Sequence, residues 1–336
     1  MTTPAAAPVR APRSAADLDH LVERLRERQP RAVGRAISIV EDGGPGQAEL
    51  VRRIYPSTGL ARSIGITGPP GAGKSTLVDR MAAAARARGE TVGILCVDPT
   101  SPFSGGALLG DRIRMQGLAT DPGVFIRSMA TRGQMGGLAR ATRDAVDLLD
   151  AAGFDWILVE TVGVGQDEVD VVESVDTVLV VAVPGLGDDI QAIKAGIMEI
   201  ADVFVLNKAD REGAERTFKD LAMVLSLADH DEHTWLPPIV RTVAARGEGI
   251  DELMAAIERH RAWMDQGGRL AARRRAQLRL RVETILKDKV LAAAREEAGL
   301  EREVERGFEE RIDPYALAGR LFDGVVAAES GRAEEP

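Results

Sequence analysis

The sequence predicts an α/β chain built on a mostly parallel sheet with helices on both faces, flanked by purely helical segments. Three observations carry this. From residue 62 to about 262, apolar runs rich in Val, Ile and Leu alternate with stretches of helical period. Several of those runs are nearly continuous Val, Ile and Leu, as strands covered on both faces must be. Before and after that region the alternation stops, and apolar residues recur only at helical spacing.

Taken in order, Met1 to Arg13 is rich in Ala and Pro, lacks an apolar core of signal-peptide length and reads as a disordered leader. From Ser14 to Tyr55, Leu18, Leu21, Val22 and Leu25 share one helical face, and Val33, Ile37 and Val40 share another after Pro30. Gly43 to Gly46 breaks that run and Ala48 to Tyr55 resumes it, so residues 1–61 are expected to hold the leader and a small helical N-terminal subdomain. The candidate strands are Ser63 to Thr67, Val92 to Val97, Val124 to Arg127, Trp156 to Glu160, Thr177 to Val183, Val203 to Asn207 and Ile239 to Val243, giving a central domain over 62–262. Residues 263–336 form a helical C-terminal segment, with one long helix from Leu270 to Glu297 carrying Leu278, Val282, Ile285, Leu286, Val290 and Ala293 as an apolar stripe. That stripe suits dimerisation or packing on the N-terminal helices.

Composition narrows the class. No run approaches eighteen consecutive apolar residues, so no membrane span is expected. A formal charge of −9 argues against a general nucleic-acid surface. The single cysteine, Cys96, lies inside an apolar strand and reads as a buried residue; one thiol allows no internal disulfide, which suits a reducing cytoplasm. His230 and His233, beside Asp229 and Asp231, read as a polar surface loop.

Chemistry concentrates where apolar strands end. After Ser63 to Thr67 comes Gly68-Pro69-Pro70-Gly71-Ala72-Gly73-Lys74-Ser75-Thr76, which matches the phosphate-loop pattern in full and leads into an Ala-rich helix with Leu77, Val78 and Met81 on one face. Glycines let consecutive N–H groups turn inward around a β-phosphate at a helix N-terminus. Lys74 is placed to bridge β- and γ-phosphates, and the Ser75 hydroxyl to ligate Mg²⁺. The fold class is therefore a P-loop NTPase.

Asn207-Lys208-Ala209-Asp210 directly follows the sixth candidate strand. A carboxylate at the Asp210 position accepts from guanine N1–H and its exocyclic amine, a pattern adenine does not offer, while Asn207 and Lys208 buttress the pocket. This selects GTP over ATP. The stretch from Thr242 to Ile250, through Ala244, is placed to give the base a backbone contact.

Three loops carry the remaining candidates. Glu160 ends an apolar strand and opens Glu160-Thr161-Val162-Gly163-Val164-Gly165-Gln166, where such enzymes keep the carboxylate that organises Mg²⁺; being one methylene longer than Asp, it is expected to reach the metal through a water. Asp98 opens a Pro- and Gly-rich loop that reaches Asp111 and Arg112, a candidate first switch; Asp98 is placed to hold the attacking water or Mg²⁺, and Asp111 is a second candidate or a helix cap. Pro184 to Lys194, with Asp188, Gln191 and Lys194, is either a mobile partner-facing segment or an ordinary strand-to-helix loop.

With these motifs in place, the chain resembles the MeaB/ArgK family of GTPase chaperones for adenosylcobalamin-dependent acyl-CoA mutases, chiefly methylmalonyl-CoA mutase. The likeness runs through Gly68 to Thr76, Val97 to Gly106, Gly110 to Arg112, Glu160 to Gln166 and Asn207 to Asp210, and covers about Leu18 to Phe322. It implies GTP hydrolysis coupled to cofactor loading and mutase protection, an acidic set of Asp98, Asp111 and Glu160 around metal and water, a third switch at Asp188, Gln191 and Lys194, and a C-terminal dimerisation arm. The second switch has no Gln right after its first Gly, so intrinsic turnover is expected to be slow and raised by the partner. A metal-insertion GTPase needs a Cys/His store that the sequence does not offer, and Asn207 to Asp210 speaks against an ArgK-type transport ATPase or kinase.

Overall fold

The computed structural model describes residues 14–43, 45–98, 117–118, 120–130, 137–161, 175–185, 200–226, 234–296 and 298–333. The predicted leader and the His230 and His233 loop lie outside them. The chain divides into two compact units, Met1–Leu270 and Ala271–Pro336.

The first unit holds a seven-stranded sheet of β1 (Arg62–Thr67), β2 (Val92–Asp98), β3 (Val124–Ala130), β4 (Trp156–Thr161), β5 (Thr177–Ala182), β6 (Val203–Leu206) and β7 (Ile239–Arg241). All seven predicted strands are present. Their order is β3-β2-β4-β1-β5-β6-β7, and every pairing is parallel. Alternation assigns the two faces: Leu95, Val97, Ile157, Val159, Val178 and Val180 belong to one core cluster, whereas Ile94, Cys96, Leu158, Leu179, Val181 and Val205 belong to the other. Cys96 is buried, as its apolar neighbours predicted.

Helices cover both faces. α4 (Lys74–Ala87) and α7 (Ile250–Asp265) close one side, burying Leu77, Val78 and Met81 from α4 and Leu253, Met254 and Ile257 from α7. α5 (Gly137–Ala151) and α6 (Ala214–Ser226) close the other. That second face is extended by the N-terminal helices α1 (Ala15–Arg26), α2 (Pro30–Asp42) and α3 (Pro45–Ile54), whose Leu25, Ile37, Leu50 and Ile54 lie in the same cluster as β2 and α5. Ser14 caps α1 by accepting from the Asp17 N–H at 3.2 Å. α3 begins at Pro45, earlier than the run from Ala48 predicts, because proline suits the first helical position and leaves Gly46 inside the first turn.

Two polar joints fix these helices to the sheet unit. Arg127 of β3 donates to Ser38 at 3.0 Å and pairs with Glu41, both on α2. The Asp150 carboxylate of α5 accepts from the N–H groups of Gly59, Leu60 and Ala61 at 2.5, 3.2 and 3.0 Å, holding the chain as it enters β1.

The connection after β1 leads to the β2, β3 and β4 half, and the one after β5 to β6 and β7, so the strand order reverses beside β1. The crevice at the carboxyl ends there is where such sheets bind ligands.

In the second unit, α8 (Arg269–Glu296), which begins two residues before the boundary, is followed by α9 (Leu300–Glu310) and α10 (Pro314–Ala333). The long helix matches the predicted Leu270 to Glu297. α9 and α10 meet at Gly307, where a Cβ would run into the Leu317 side chain. Among the described residues, no helix is long and apolar enough to cross a membrane.

Candidate functional site

The loop between β1 and α4 sits at this reversal. Its glycines are needed for shape: Gly68, Gly71 and Gly73 have φ of 146°, 74° and 89°. A Cβ on Gly68 would collide with the Val181 carbonyl oxygen, and one on Gly73 would lie 2.5 Å from Nδ2 of Asn207. Ala72 is buried within the turn, while Pro70, Gly71 and Thr76 are exposed. Lys74, the first residue of α4, is buried, and its Nζ donates to the carbonyls of Gly68 at 2.6 Å and Pro69 at 3.1 Å. The ammonium thus lies against the loop it must serve, at the positive end of a helix of 14 residues.

Beside the loop, Glu160 near the end of β4 is buried, with Ile66 and Cys96 as its register neighbours in β1 and β2. Its Oε1 accepts from the Ser75 hydroxyl at 2.6 Å. The structure therefore joins two of the four residues that sequence assigned to metal, and a hydroxyl beside a carboxylate suits a hard divalent cation such as Mg²⁺. Asp98 closes β2 opposite Ala130 of β3, and its side chain lies outside the described residues. So do Asp111, Asp188, Gln191 and Lys194.

The third side is built by the loops after β6 and β7. Asn207, buried, donates from Nδ2 to the Ala72 carbonyl at 2.8 Å and accepts on Oδ1 from Thr242 Oγ1 and the Ala244 N–H, each at 3.1 Å. One amide thus ties the phosphate loop to the loop after β7. Lys208, in the left-handed region at φ 56°, donates from Nζ to the Gly71 carbonyl at 2.6 Å. Asp210 projects farther out, with its side chain 36% exposed, and accepts on Oδ2 from Arg246 Nη1 at 3.2 Å. Gly249, at φ 76°, lets the chain turn against Arg241, whose carbonyl a Cβ there would strike.

Phosphate loop, acidic strand end and guanine-type tetrapeptide now stand around one crevice. Residues 33–299 match the family described as Methylmalonyl Co-A mutase-associated GTPase MeaB. The chain belongs to the MeaB family. It is 51% identical over 316 residues to a Pyrococcus abyssi protein, covering 92% of this chain and 97% of that one. It is 36% identical over 271 residues to GTPase ArgK of Escherichia coli (78% and 81% of the two chains). To the mitochondrial methylmalonic aciduria type A homolog of Mus musculus it is 32% identical over 327 residues (92% and 78%). Among solved structures, one titled LAO/AO transport system kinase superposes with a TM-score of 0.71 at 27% identity, covering 92% of this chain and 98% of that one. As a MeaB-family protein the chain is a GTPase with a P-loop fold, and it binds guanine nucleotide.

Two arginines of this MeaB-family site were not singled out by the sequence. Arg80, two turns along α4 from Lys74, donates from Nε and Nη2 to the carbonyls of Ala244 and Ala245, both at 3.1 Å. Arg246 grips Glu248 through Nε at 2.7 Å and Nη2 at 3.3 Å while reaching Asp210. Hydrogen bonding and charge from Glu248, with a smaller contribution from Asp210, raise the pKa of the Arg246 guanidinium above its ordinary value. The only local signal was Glu248 two residues after Arg246; the Arg80 contact spans 164 residues of sequence.

Proposed function

We propose that this GTPase gates the loading of adenosylcobalamin onto an acyl-CoA mutase, with methylmalonyl-CoA mutase as the client, and protects that mutase from inactivation. Support comes from the family's description as mutase-associated and from the name of the mouse relative. The observation that carries the chemistry is the amide of Asn207, which bonds both the phosphate loop and the loop after β7. Phosphate and base recognition then share one rigid bracket, and a change at the γ-phosphate reaches the loops around it.

In this reading the backbone from Gly68 to Ser75 cradles the β-phosphate, Lys74 swings from its carbonyl partners to the β,γ oxygens, and Asp210 takes the guanine edge. Pro70, Gly71, Ala72, Gly73 and Thr76 shape the cradle, and Thr242 and Ala244 hold Asn207 in register. Ser75 and Glu160, with Asp98 and Asp111 from the first switch, hold Mg²⁺. When bound, that ion neutralises charge developing on the phosphate oxygens. Asp188, Gln191 and Lys194 face the mutase, whose binding raises a slow intrinsic rate. Residues 62–262 act as the GTPase domain and 263–336 as a dimerisation arm.

The test is capture of candidate mutases by the full chain loaded with GDP or with a non-hydrolysable GTP analogue, followed by GTPase rates for each complex. Nucleotide-dependent association and a stimulated rate are expected. No nucleotide-dependent association with any acyl-CoA mutase sinks the chaperone role and leaves the GTPase intact.

A further inference from the structure

We propose that Arg246 sets guanine specificity by positioning the Asp210 carboxylate, an assignment that rests on the guanine reading of Asp210. Reading guanine takes both carboxylate oxygens at once, one for N1–H and one for the exocyclic amine. Asp210 has its side chain 36% exposed, so its rotamers are not fixed by burial. The Arg246 contact to Oδ2 at 3.2 Å supplies the missing restraint, and the oxygen keeps a second lone pair for the base.

Arg246 is itself held. Its N–H bonds the Val243 carbonyl at 2.9 Å within the turn from Ala244 to Arg246, and the Val243 N–H bonds the Glu248 carbonyl at 3.0 Å. Glu248 then takes two of the guanidinium's nitrogens, leaving Nη1 for Asp210. Arg80 pins the same turn to α4 through two adjacent carbonyls. A continuous path therefore runs from the helix that carries Lys74, through Arg80 and the turn, to Arg246 and the carboxylate. Lysine cannot replace the fork, because it lacks the planar geometry that grips Glu248 and Asp210 together.

The experiment is calorimetric binding of GDP, IDP and ADP to the full chain and to its Arg246→Ala, Arg246→Lys, Asp210→Ala and Arg246→Ala/Asp210→Ala variants. IDP lacks the exocyclic amine, and adenine makes no use of the carboxylate. Arg246→Ala is expected to weaken GDP by about three- to fivefold, as befits a half-exposed ion pair. IDP weakens less, ADP stays within about twofold, and Arg246→Lys falls between. On the Asp210→Ala background the arginine substitution adds nothing further. Unchanged GDP affinity, equal weakening of all three nucleotides, or tighter GDP binding overturns the proposal. The last two results mean, respectively, that Arg246 only keeps the loop folded or that it competes with the base. A wild-type chain that fails to prefer GDP over ADP overturns the guanine reading as well.

Discussion

Ser75 and Glu160 show how much one hydrogen bond decides. At 2.6 Å the hydroxyl and carboxylate already occupy one site, so Glu160→Gln keeps shape and bond while removing the charge. Cation-independent nucleotide affinity is expected to stay within about twofold, whereas cation-dependent GTP hydrolysis falls about a hundredfold or more; Mg²⁺ titration of kcat checks it. Gly73→Ala tests the cradle from the opposite side. A side chain at φ 89°, 2.5 Å from the Asn207 amide, must displace either the loop or that amide. Nucleotide affinity should drop about tenfold or more, with the circular dichroism spectrum retained, since strain of about one or two kcal/mol is confined to the loop and the Asn207 amide beside it.

Among the elements, the joints between helices and sheet carry the next predictions. Asp150→Ala leaves three N–H groups at the entrance to β1 without their shared acceptor, and denaturant unfolding should register a loss of about 2 kcal/mol. Asp121, ahead of β3, accepts from Arg86 at 3.0 Å and from the Gly123 N–H at 2.7 Å. Chiefly the arginine bond, and then the backbone bond, hold its pKa below the ordinary carboxylate value. A group with a lowered folded pKa contributes stability above its unfolded pKa and loses it as pH falls through the folded value. Asp121→Asn should therefore destabilise the protein at pH 7 and flatten its acid limb below about pH 4, which urea midpoints at both ends can compare. Strands were the most legible elements because the central ones, β1, β4, β5 and β6, are apolar runs buried on both faces. Boundaries slipped by one to three residues, as at β3, which runs on from Arg127 to Ala130, and at Asn207, which sequence places in β6 and which instead leaves the strand so that its amide can reach Ala72.

At the scale of the whole molecule, α8 and α9 leave Leu278, Val282, Leu286 and Phe308 exposed by 42%, 55%, 59% and 82%. A dimer that covers these residues is the reading proposed above. Sedimentation of Leu286→Glu/Phe308→Glu should then show a shift from dimer to monomer with helix content unchanged, because neither side chain is buried within the chain. The sequence by itself determined the seven-strand α/β architecture, the position of the phosphate loop and the family, because hydrophobic period and a contiguous motif are local properties that survive in one dimension. Only the tertiary structure decided that Ser75 meets Glu160 across 85 residues, that Asn207 binds Ala72 across 135, and that Arg80 and Arg246 frame the base loop. Such contacts depend on which strand ends the sheet order brings together, and β1 lies between β4 and β5 only once the chain has folded.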